Sequence, residues 1–239
     1  MQSLWMVVSA LFFAFYAVFI KLASFEGFSS FEVLFYRSIF GLLIFSFMMQ
    51  RRGIGFHTRY IGDHALRSII GVGAILAGIF SIAHLNIGLA MTLNYTSPLF
   101  LGCFAIAGAL QAHRQINWKL LSTLVLGFAG VVVMLSPTIS PHEYSAALVG
   151  LTAGFCTSVA VSFVKRLGLK KEPELRILFY FVLVGTLVGL VGAFFNGGFR
   201  LPSWQGWGYI FCIALMATGA QFCICLLYTS DAADDLIGV

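Results

Sequence analysis

The sequence predicts an all-α, polytopic membrane protein built as a bundle of transmembrane helices. Of its 239 residues, 60% are apolar and only 10% are charged, whereas soluble domains carry about a quarter charged residues. One core cannot hide that much apolar surface, so much of it must face lipid. No stretch alternates like a barrel strand, and only helices or closed barrels satisfy the backbone in lipid.

The number of crossings follows from the length of the apolar stretches. A helix needs about 20 apolar residues to cross the hydrocarbon core. We therefore expect eight spans, near residues 4–23, 31–49, 68–85, 88–110, 118–137, 145–164, 175–195 and 205–227. The first stretch has neither a basic leading segment nor a small-residue cleavage site, so we interpret it as a span rather than a signal peptide. The five cysteines lie in apolar stretches and are interpreted as packing residues.

Orientation follows from the basic residues between the spans. Eleven of the fourteen Lys and Arg residues fall between spans 2 and 3, 4 and 5, and 6 and 7, in the segments 51–67, 114–119 and 165–176. The other loops contribute only Arg200, while Lys21 and Arg37 lie within the first two spans. Because basic loops stay in the cytoplasm, we expect a cytoplasmic N-terminus.

Two parts of the chain resemble each other. "FIKLASFEGFSSFEVLFYRSIFGLL", from Phe19, aligns without a gap with "FVKRLGLKKEPELRILFYFVLVGTL", from Phe163, at an offset of 163 − 19 = 144. The Lys and the Leu-Phe-Tyr triplet match at one fixed spacing. Five spans separate the two starting points, so the second copy is inverted, as in many transporters. We expect a first five-helix repeat over 1–138 and a second over 145–224 that stops after its third helix.

The C-terminal stretch looks foreign to the rest of the chain. "CLLYTSDAADD" follows an apolar helix directly and resembles a translated sequencing-library adapter. We therefore expect residues 225–239 to be a non-native tail on a C-terminally truncated chain. The alternative is an acidic cap on the last helix.

Four segments together carry a family resemblance. They are "SALFFAFYAVFIKLA", "LFYRSIFGLL" with Arg37, "LAMTLNYTSPLF" and "ALMATGAQFC". In their order and spacing, residues 1–224 resemble bacterial EamA-type members of the drug/metabolite transporter superfamily. The resemblance implies ten helices in two inverted five-helix repeats, of which about eight are present here. It also implies export or uptake of small metabolites across the bacterial inner (plasma) membrane. Gln111 stands near the position where members often carry a Glu after the fourth helix.

The fourth span contains a polar interruption that predicts part of a substrate site. Proline cannot donate to the helix ladder, so Pro98 frees carbonyl groups that need partners in protein or cavity water. The predicted substrate-binding residues here are Asn94, Tyr95, Ser97 and Pro98. The alternative is a packing kink in which Thr96 and Ser97 bond their own backbone.

Three further polar residues lie at depth in other spans. Arg37 sits about 9 Å into the second span, and an ionisable residue at that depth is a functional hypothesis by default. Its natural partner is an anionic substrate group, although it can also extend to the headgroups or meet Glu32. Tyr16 and Gln221 are predicted to line the cavity, with interhelical hydrogen bonding as the alternative.

Several kinds of chemistry have no pattern in the sequence. No span is expected to contain a buried Asp or Glu, no His pair has metal-binding spacing, and no phosphate-cradling loop is present. We expect no enzyme activity, cofactor, metal or nucleic-acid partner. The expected partners are a small-molecule substrate and the lipid bilayer, with a homodimer left open.

Together these features predict a secondary transporter of small organic metabolites that works by alternating access between inverted repeats. The alternatives are a flippase or membrane enzyme acting on a lipid-linked substrate, and a membrane scaffold without transport. Substrate identity, direction and coupling ion stay open.

Overall fold

The structure is a computed structural model that describes residues 2–111, 118–135, 143–199 and 203–237. Within these ranges the chain forms nine α-helices and no strand, so the predicted fold class is confirmed. The helices are α1 Gln2–Phe25, α2 Ser30–Arg51, α3 Ile61–His84, α4 Ile87–Asn94, α5 Ser97–Gln111, α6 Trp118–Leu135, α7 Tyr144–Leu169, α8 Glu174–Phe195 and α9 Trp204–Ile237.

The predicted spans all fall on these helices, and α4 and α5 together form the fourth. Seven segments of the described chain are long and apolar enough to cross a membrane. Helix α6 occupies the predicted fifth span, but its described apolar part, Leu121–Gly130, is shorter than a full crossing. Arg114 and Arg200, which entered the orientation argument, lie outside the described residues.

Helix α3 begins seven residues earlier than predicted. It starts at Ile61 rather than near residue 68, with Asp63 in its first turn, where a negative charge favours the helix dipole. Arg67, predicted to be a loop residue, is therefore inside the helix and only 4% exposed. That prediction was wrong because a hydropathy window reads Asp, His and Arg together as the end of a span.

Four helix ends close with the same hydrogen-bond pattern. In each, a residue with positive φ follows the helix, and the next amide reaches back five residues, as from Phe28 to Ala23 and from Glu172 to Leu167. The positive-φ residues are Gly27, Gly53, Lys171 and Gly197. The residue numbers of the second hydrogen-bonded pair are those of the first pair plus 144. The same offset carries the bounds of α2 onto those of α8.

The helix pairing has the same internal correspondence. The most extensive helix–helix contacts join α3 with α7, α2 with α8 and α1 with α9. At the offset of 144, α1 corresponds to α7, α2 to α8 and α3 to α9. If each helix is replaced by its counterpart in the other half, the pair α3–α7 becomes α9–α1 and the pair α2–α8 stays the same. The pairing is therefore symmetric between the two halves.

Glycines allow several of these helices to approach closely. A Cβ added at Gly150 or Gly154 of α7 would lie 2.6 Å from Ser81 Oγ or 2.5 Å from Thr96 Oγ1. Gly185 of α8 would similarly meet Ser38 Oγ at 2.6 Å. These glycines therefore allow α7 and α8 to pack closely on their neighbours. In α3 the same is true of Gly71, whereas an added Cβ at Gly73 or Gly78 would have no described atom within 4 Å.

Helix α9 runs without a break through the segment predicted to be foreign, as far as Ile237. Cys225 and Leu227 are buried, and the Cys225 thiol lies 3.7 Å from the Glu174 carbonyl. The foreign origin of residues 225–239 stays a prediction.

Candidate functional site

Arg37 and Tyr16, both predicted site residues, form a buried pair. Arg37 Nη1 donates a hydrogen bond of 2.7 Å to the Tyr16 hydroxyl, and its guanidinium carbon lies 5.2 Å from the Tyr16 ring centre. Both side chains are less than 10% exposed. Arg37 points inward rather than toward the headgroups, and its Nε has no hydrogen-bond partner among the described residues.

Arg67 is a second buried arginine, which the sequence argument did not place in the site. Its guanidinium carbon lies 3.8 Å from the centre of the Phe181 ring. A Cβ added at Gly71 would come 3.0 Å from Arg67 Nη1 and 3.2 Å from Phe181 Cε2. The absence of a side chain at Gly71 therefore leaves the room that the guanidinium occupies. Its Nε and Nη1 have no hydrogen-bond partner in the described part of the chain.

The two arginines lie on helices that meet at α8, because Ser38, next to Arg37, and Val72, next to Gly71, would both lie within 4 Å of a Cβ at Gly185. Neither arginine forms an ion pair with a carboxylate whose side chain the structure describes. Glu32, the acidic residue nearest to Arg37 along the chain, caps α2 by accepting a 2.8 Å bond from the Ser29 amide. It is buried in the first turn of α2, so the expectation of no buried Asp or Glu in a span was wrong. Two positive charges in the interior without a described counter-ion are costly, and such residues mark functional positions.

The predicted interruption in the fourth span is present. Helix α4 ends at Asn94 and α5 begins at Ser97. Thr96 Oγ1 bonds the Leu93 carbonyl at 2.6 Å, as expected for a packing kink. Ser158 Oγ of α7 donates to the Ser97 carbonyl at 3.0 Å, so one carbonyl at the break finds a partner on another helix. The break thus both packs against α7 and exposes polar groups.

The predicted site residues do not all converge. Asn94, Tyr95 and Pro98 are exposed at the surface of the α4–α5 segment, and Ser97 is half-buried beside Ser158. Gln221 is buried within α9. Tyr16 and Arg37 are the two predicted residues that the structure joins by a hydrogen bond.

The end of the bundle that carries the α2–α3 and α7–α8 loops, here called the basic end, is held by a polar network. Glu172 accepts hydrogen bonds from Thr58 Oγ1 at 2.7 Å and Arg176 Nη1 at 2.9 Å. The fully buried His64 lies 3.6 Å from the same carboxylate. Burial alone would raise the pKa of Glu172, but the two hydrogen bonds and the neighbouring positive charges lower it.

Further ion pairs at the basic end join the same helices. Asp63 of α3 pairs with Lys170 at the end of α7, and Arg166 Nε lies 3.6 Å from the same carboxylate. The Arg176 Nε bonds the Gly55 carbonyl at 2.9 Å, which ties the α2–α3 loop to α8. The network therefore fastens α3, α7, α8 and the intervening loop together.

The opposite end has an open cleft of about 500 Å³. It is formed by the end of α1, the start of α2 and the end of α3, and its lining includes Ser24, Phe31 and His84. None of the predicted site residues lines it. Beside it, Lys21 donates to the Ala83 and Leu85 carbonyls at 2.9 and 2.8 Å and so caps α3.

The sequence profile of the EamA-like transporter family matches residues 1–136. The chain belongs to the EamA-like transporter family. Among its relatives is the pseudopaline exporter CntI of Pseudomonas aeruginosa, 25% identical over 204 residues, which are 84% of this chain and 69% of that protein. The S-adenosylmethionine uptake transporter of Rickettsia prowazekii is 24% identical over 162 residues, which are 67% of this chain and 53% of that protein.

The EamA fold also has a match among solved structures. One crystal structure superposes with a TM-score of 0.70, covering 98% of this chain and 85% of its own, at 14% identity. With its apolar helices and transporter relatives, this EamA protein is a multi-pass membrane transporter of small molecules. The described residues contain no group of three His, Cys, Asp or Glu arranged to hold a metal.

The sequence contained a signal for the residues that were missed. His64, Arg67, Ser68 and Gly71 are spaced as one face of a helix, and all four are buried. Extending this helical spacing through the charged residues at the start of α3 would have predicted that Arg67 and His64 lie inside the bundle.

Proposed function

We propose that this protein is a secondary transporter of small organic metabolites that works by alternating access between two inverted repeats. The repeats are residues 1–138 and 145–224. The observation that carries the proposal is the agreement of helix ends and helix pairs at a single offset of 144. Inverted repeats that pack on each other can exchange two equivalent arrangements, which opens a central site to either side in turn.

The two ends of the bundle support this motion because they differ. The basic end is fastened by Glu172 and Asp63 with their partners, while the opposite end has the open cleft beside α1 and α3. Exposing the interior to the basic end requires these polar contacts to break. The network is then one of the two gates.

The proposed setting is the bacterial inner membrane with the N-terminus in the cytoplasm. The basic end carries Arg51, Arg52, Arg166, Lys170 and Lys171 in or beside its loops. Cytoplasmic loops are enriched in such residues. The fastened gate then faces the cytoplasm.

The test is solute counterflow in proteoliposomes containing the protein expressed from the full-length gene. The panel comprises pseudopaline and S-adenosylmethionine, the solutes of the two relatives, together with amino acids, amines, nucleosides and dicarboxylates. Both directions are followed, because one relative is an exporter and the other an uptake transporter. We expect saturable exchange of one solute class above protein-free vesicles. Flux equal to protein-free vesicles for every solute in both directions would contradict the proposal.

A lipid assay addresses the alternative substrate class. The same vesicles are prepared with fluorescent phospholipid, and its movement between leaflets is followed by dithionite quenching. We expect the rate of vesicles without protein. Protein-dependent lipid movement without solute exchange would favour a flippase instead.

A further inference from the structure

We propose that Arg37 and Arg67 together form an anion site in the interior of the bundle that binds a carboxylate or phosphate group of the transported molecule. The inference rests on the proposed transport function and adds to it the charge class of the substrate. It depends on the burial of the two side chains, on their nitrogen atoms without hydrogen-bond partners and on their positions on neighbouring helices.

The burial of both guanidinium groups is nearly complete, at 4% exposure each. Arginine keeps its charge in proteins, so neither group escapes the desolvation cost by losing a proton. The remaining way to compensate the charge is a partner. For Arg37 the partner found is the neutral Tyr16 hydroxyl, and for Arg67 it is the face of Phe181.

The unpartnered nitrogen atoms define what is bound. Arg37 retains Nε, and Arg67 retains Nε and Nη1, without hydrogen-bond partners among the described residues. Each of these N–H groups can donate a charge-assisted hydrogen bond to an oxygen of a carboxylate or phosphate. Arg67 thus offers two donor nitrogens to an anion, and Arg37 offers one.

The two guanidinium groups carry like charges on α2 and α3, whose Ser38 and Val72 both lie against Gly185 of α8, so each raises the cost of burying the other. An anion reaching both relieves this repulsion and supplies the acceptors that both lack. Arg37 comes seven residues after the start of α2, about 10 Å along the helix, and Arg67 six residues after the start of α3, about 9 Å along it. Since these helices start at opposite ends, the two side chains approach the interior from opposite sides.

The surroundings hold Arg67 in this orientation. Its guanidinium occupies the space over Gly71 and stacks on Phe181, and the Ala160 Cβ would lie 3.5 Å from a Cβ at Gly71. Adding a methyl group at Gly71 forces the Arg67 guanidinium or the Phe181 ring to shift. Gly71 is therefore a positioning residue for the site.

The test measures anion binding by the full chain in nanodiscs of zwitterionic phosphatidylcholine. The probes are succinate and inorganic phosphate, with choline as the cationic control, and the readout is titration calorimetry. We expect saturable binding of succinate, phosphate or both, and none of choline. Arg37→Met and Arg67→Met should each weaken binding about tenfold to a hundredfold, Arg→Lys should weaken it less, and the exposed Arg59→Met should not change it.

A second pair of variants keeps both arginines. Gly71→Ala should weaken anion binding several-fold, while Gly73→Ala, which meets nothing within 4 Å, should bind like the wild type. Absence of anion binding by the wild type, or wild-type affinity in Arg37→Met and Arg67→Met, would overturn the site. Equal affinity of the two glycine variants would overturn the positioning role.

A lipid headgroup is the other source of a phosphate. If the site binds a lipid headgroup, nanodiscs containing phosphatidylglycerol should raise the Tm of the wild type but not of the two arginine variants. Neither succinate nor phosphate would then bind to the protein, whichever lipid the nanodiscs contain. That result would overturn the small-molecule source. Arginine-dependent anion binding without any counterflow would sustain the site and reject transport. Counterflow of a cation at wild-type rate in both arginine variants would do the reverse.

Discussion

Arg37 and Arg67 lie where a membrane protein places charge at considerable cost. Removing a guanidinium from water costs several kcal/mol even after relaxation. Stacking of Arg67 on Phe181 recovers about 2 kcal/mol when the pair is desolvated. The difference is tolerated at functional positions, where stability is commonly given up for binding.

Replacing Arg67 with methionine should therefore stabilise the protein in the absence of solute. Met fills much of the same length beside Phe181 and removes the buried charge, a change that is often stabilising by about 1–4 kcal/mol for buried ionic groups. We expect Arg67→Met to raise the apparent Tm in nanodiscs. The exposed Arg59→Met should leave the Tm unchanged, and a lower Tm for Arg67→Met would show that the guanidinium has a stabilising partner.

Glu172 makes the stability of the basic end depend on pH. Its pKa in the fold is lowered from 4.5, so its contribution is fully present above about pH 4.5 and is lost as the pH falls through the folded-state pKa. We expect Glu172→Gln to lower the Tm at pH 7 and to reduce the loss of Tm on acidification. Glu174→Gln is the control, because Glu174 is more exposed and makes a single 3.6 Å contact with Arg52. Parallel Tm–pH curves for wild type and Glu172→Gln would contradict this role.

The sequence was sufficient to expect Arg37 and Tyr16 inside the bundle, because a charge and a phenol stood out in apolar spans. Their role in a substrate site stays a prediction. It was not sufficient for Arg67 and His64, since both adjoin a basic loop and look solvated until α3 is known to start at Ile61. The Arg67–Phe181 contact joins residues 114 positions apart. Only the packing of α3 on α8 reveals it.

Among the helices, α8 packs most closely through its glycine face. A Cβ at Gly189 would lie 2.6 Å from the Phe35 amide nitrogen and 2.7 Å from its Cα. These are backbone atoms, so they cannot move aside as a side chain would. Close contacts between small residues are a main source of helix association in lipid.

Gly189→Ala should therefore separate α2 from α8 and destabilise the bundle. Overpacking of this kind costs about 1–3 kcal/mol, and we expect a lower apparent Tm. Gly78→Ala is the matched control because an added methyl meets nothing within 4 Å, so its Tm should not fall. Equal Tm values for both variants would mean that the α2–α8 contact is looser than described.

The interrupted fourth span shows which features the local sequence predicts and which depend on packing against other helices. Pro98 sufficed to predict the break between Asn94 and Ser97, because a missing amide acts within one turn. It could not predict which side chains face outward. That depends on α7, where Gly154 and Ser158 receive Thr96 and Ser97 and leave Asn94 and Tyr95 exposed.

At the scale of the whole molecule, the distribution of charge predicts orientation. In a cysteine-free background, Glu26→Cys in the α1–α2 loop should react with a membrane-impermeant maleimide in spheroplasts, because the loop is expected to face the periplasm. His57→Cys in the α2–α3 loop, also exposed, should react only after permeabilisation. The opposite pattern would reverse the topology.

The internal repeat was visible in sequence as a single offset, and the shared hydrogen-bonded ends at Gly27 and Lys171 support it. The sequence could not predict which helices of the two halves pack together, since apolar helix faces are interchangeable in lipid. The central claim is that two such halves move against each other to carry a solute.

The most direct measurement of that claim is the distance between spin labels at both ends of the bundle, with and without a solute shown to exchange. One pair joins His57→Cys with Lys171→Cys at the basic end, and the other joins Glu26→Cys with Asn196→Cys at the opposite end. Alternating access predicts that solute shifts the two distance distributions in opposite directions, so that one end widens as the other narrows. If both distributions stay unchanged while the solute is transported, alternating access between these halves is wrong.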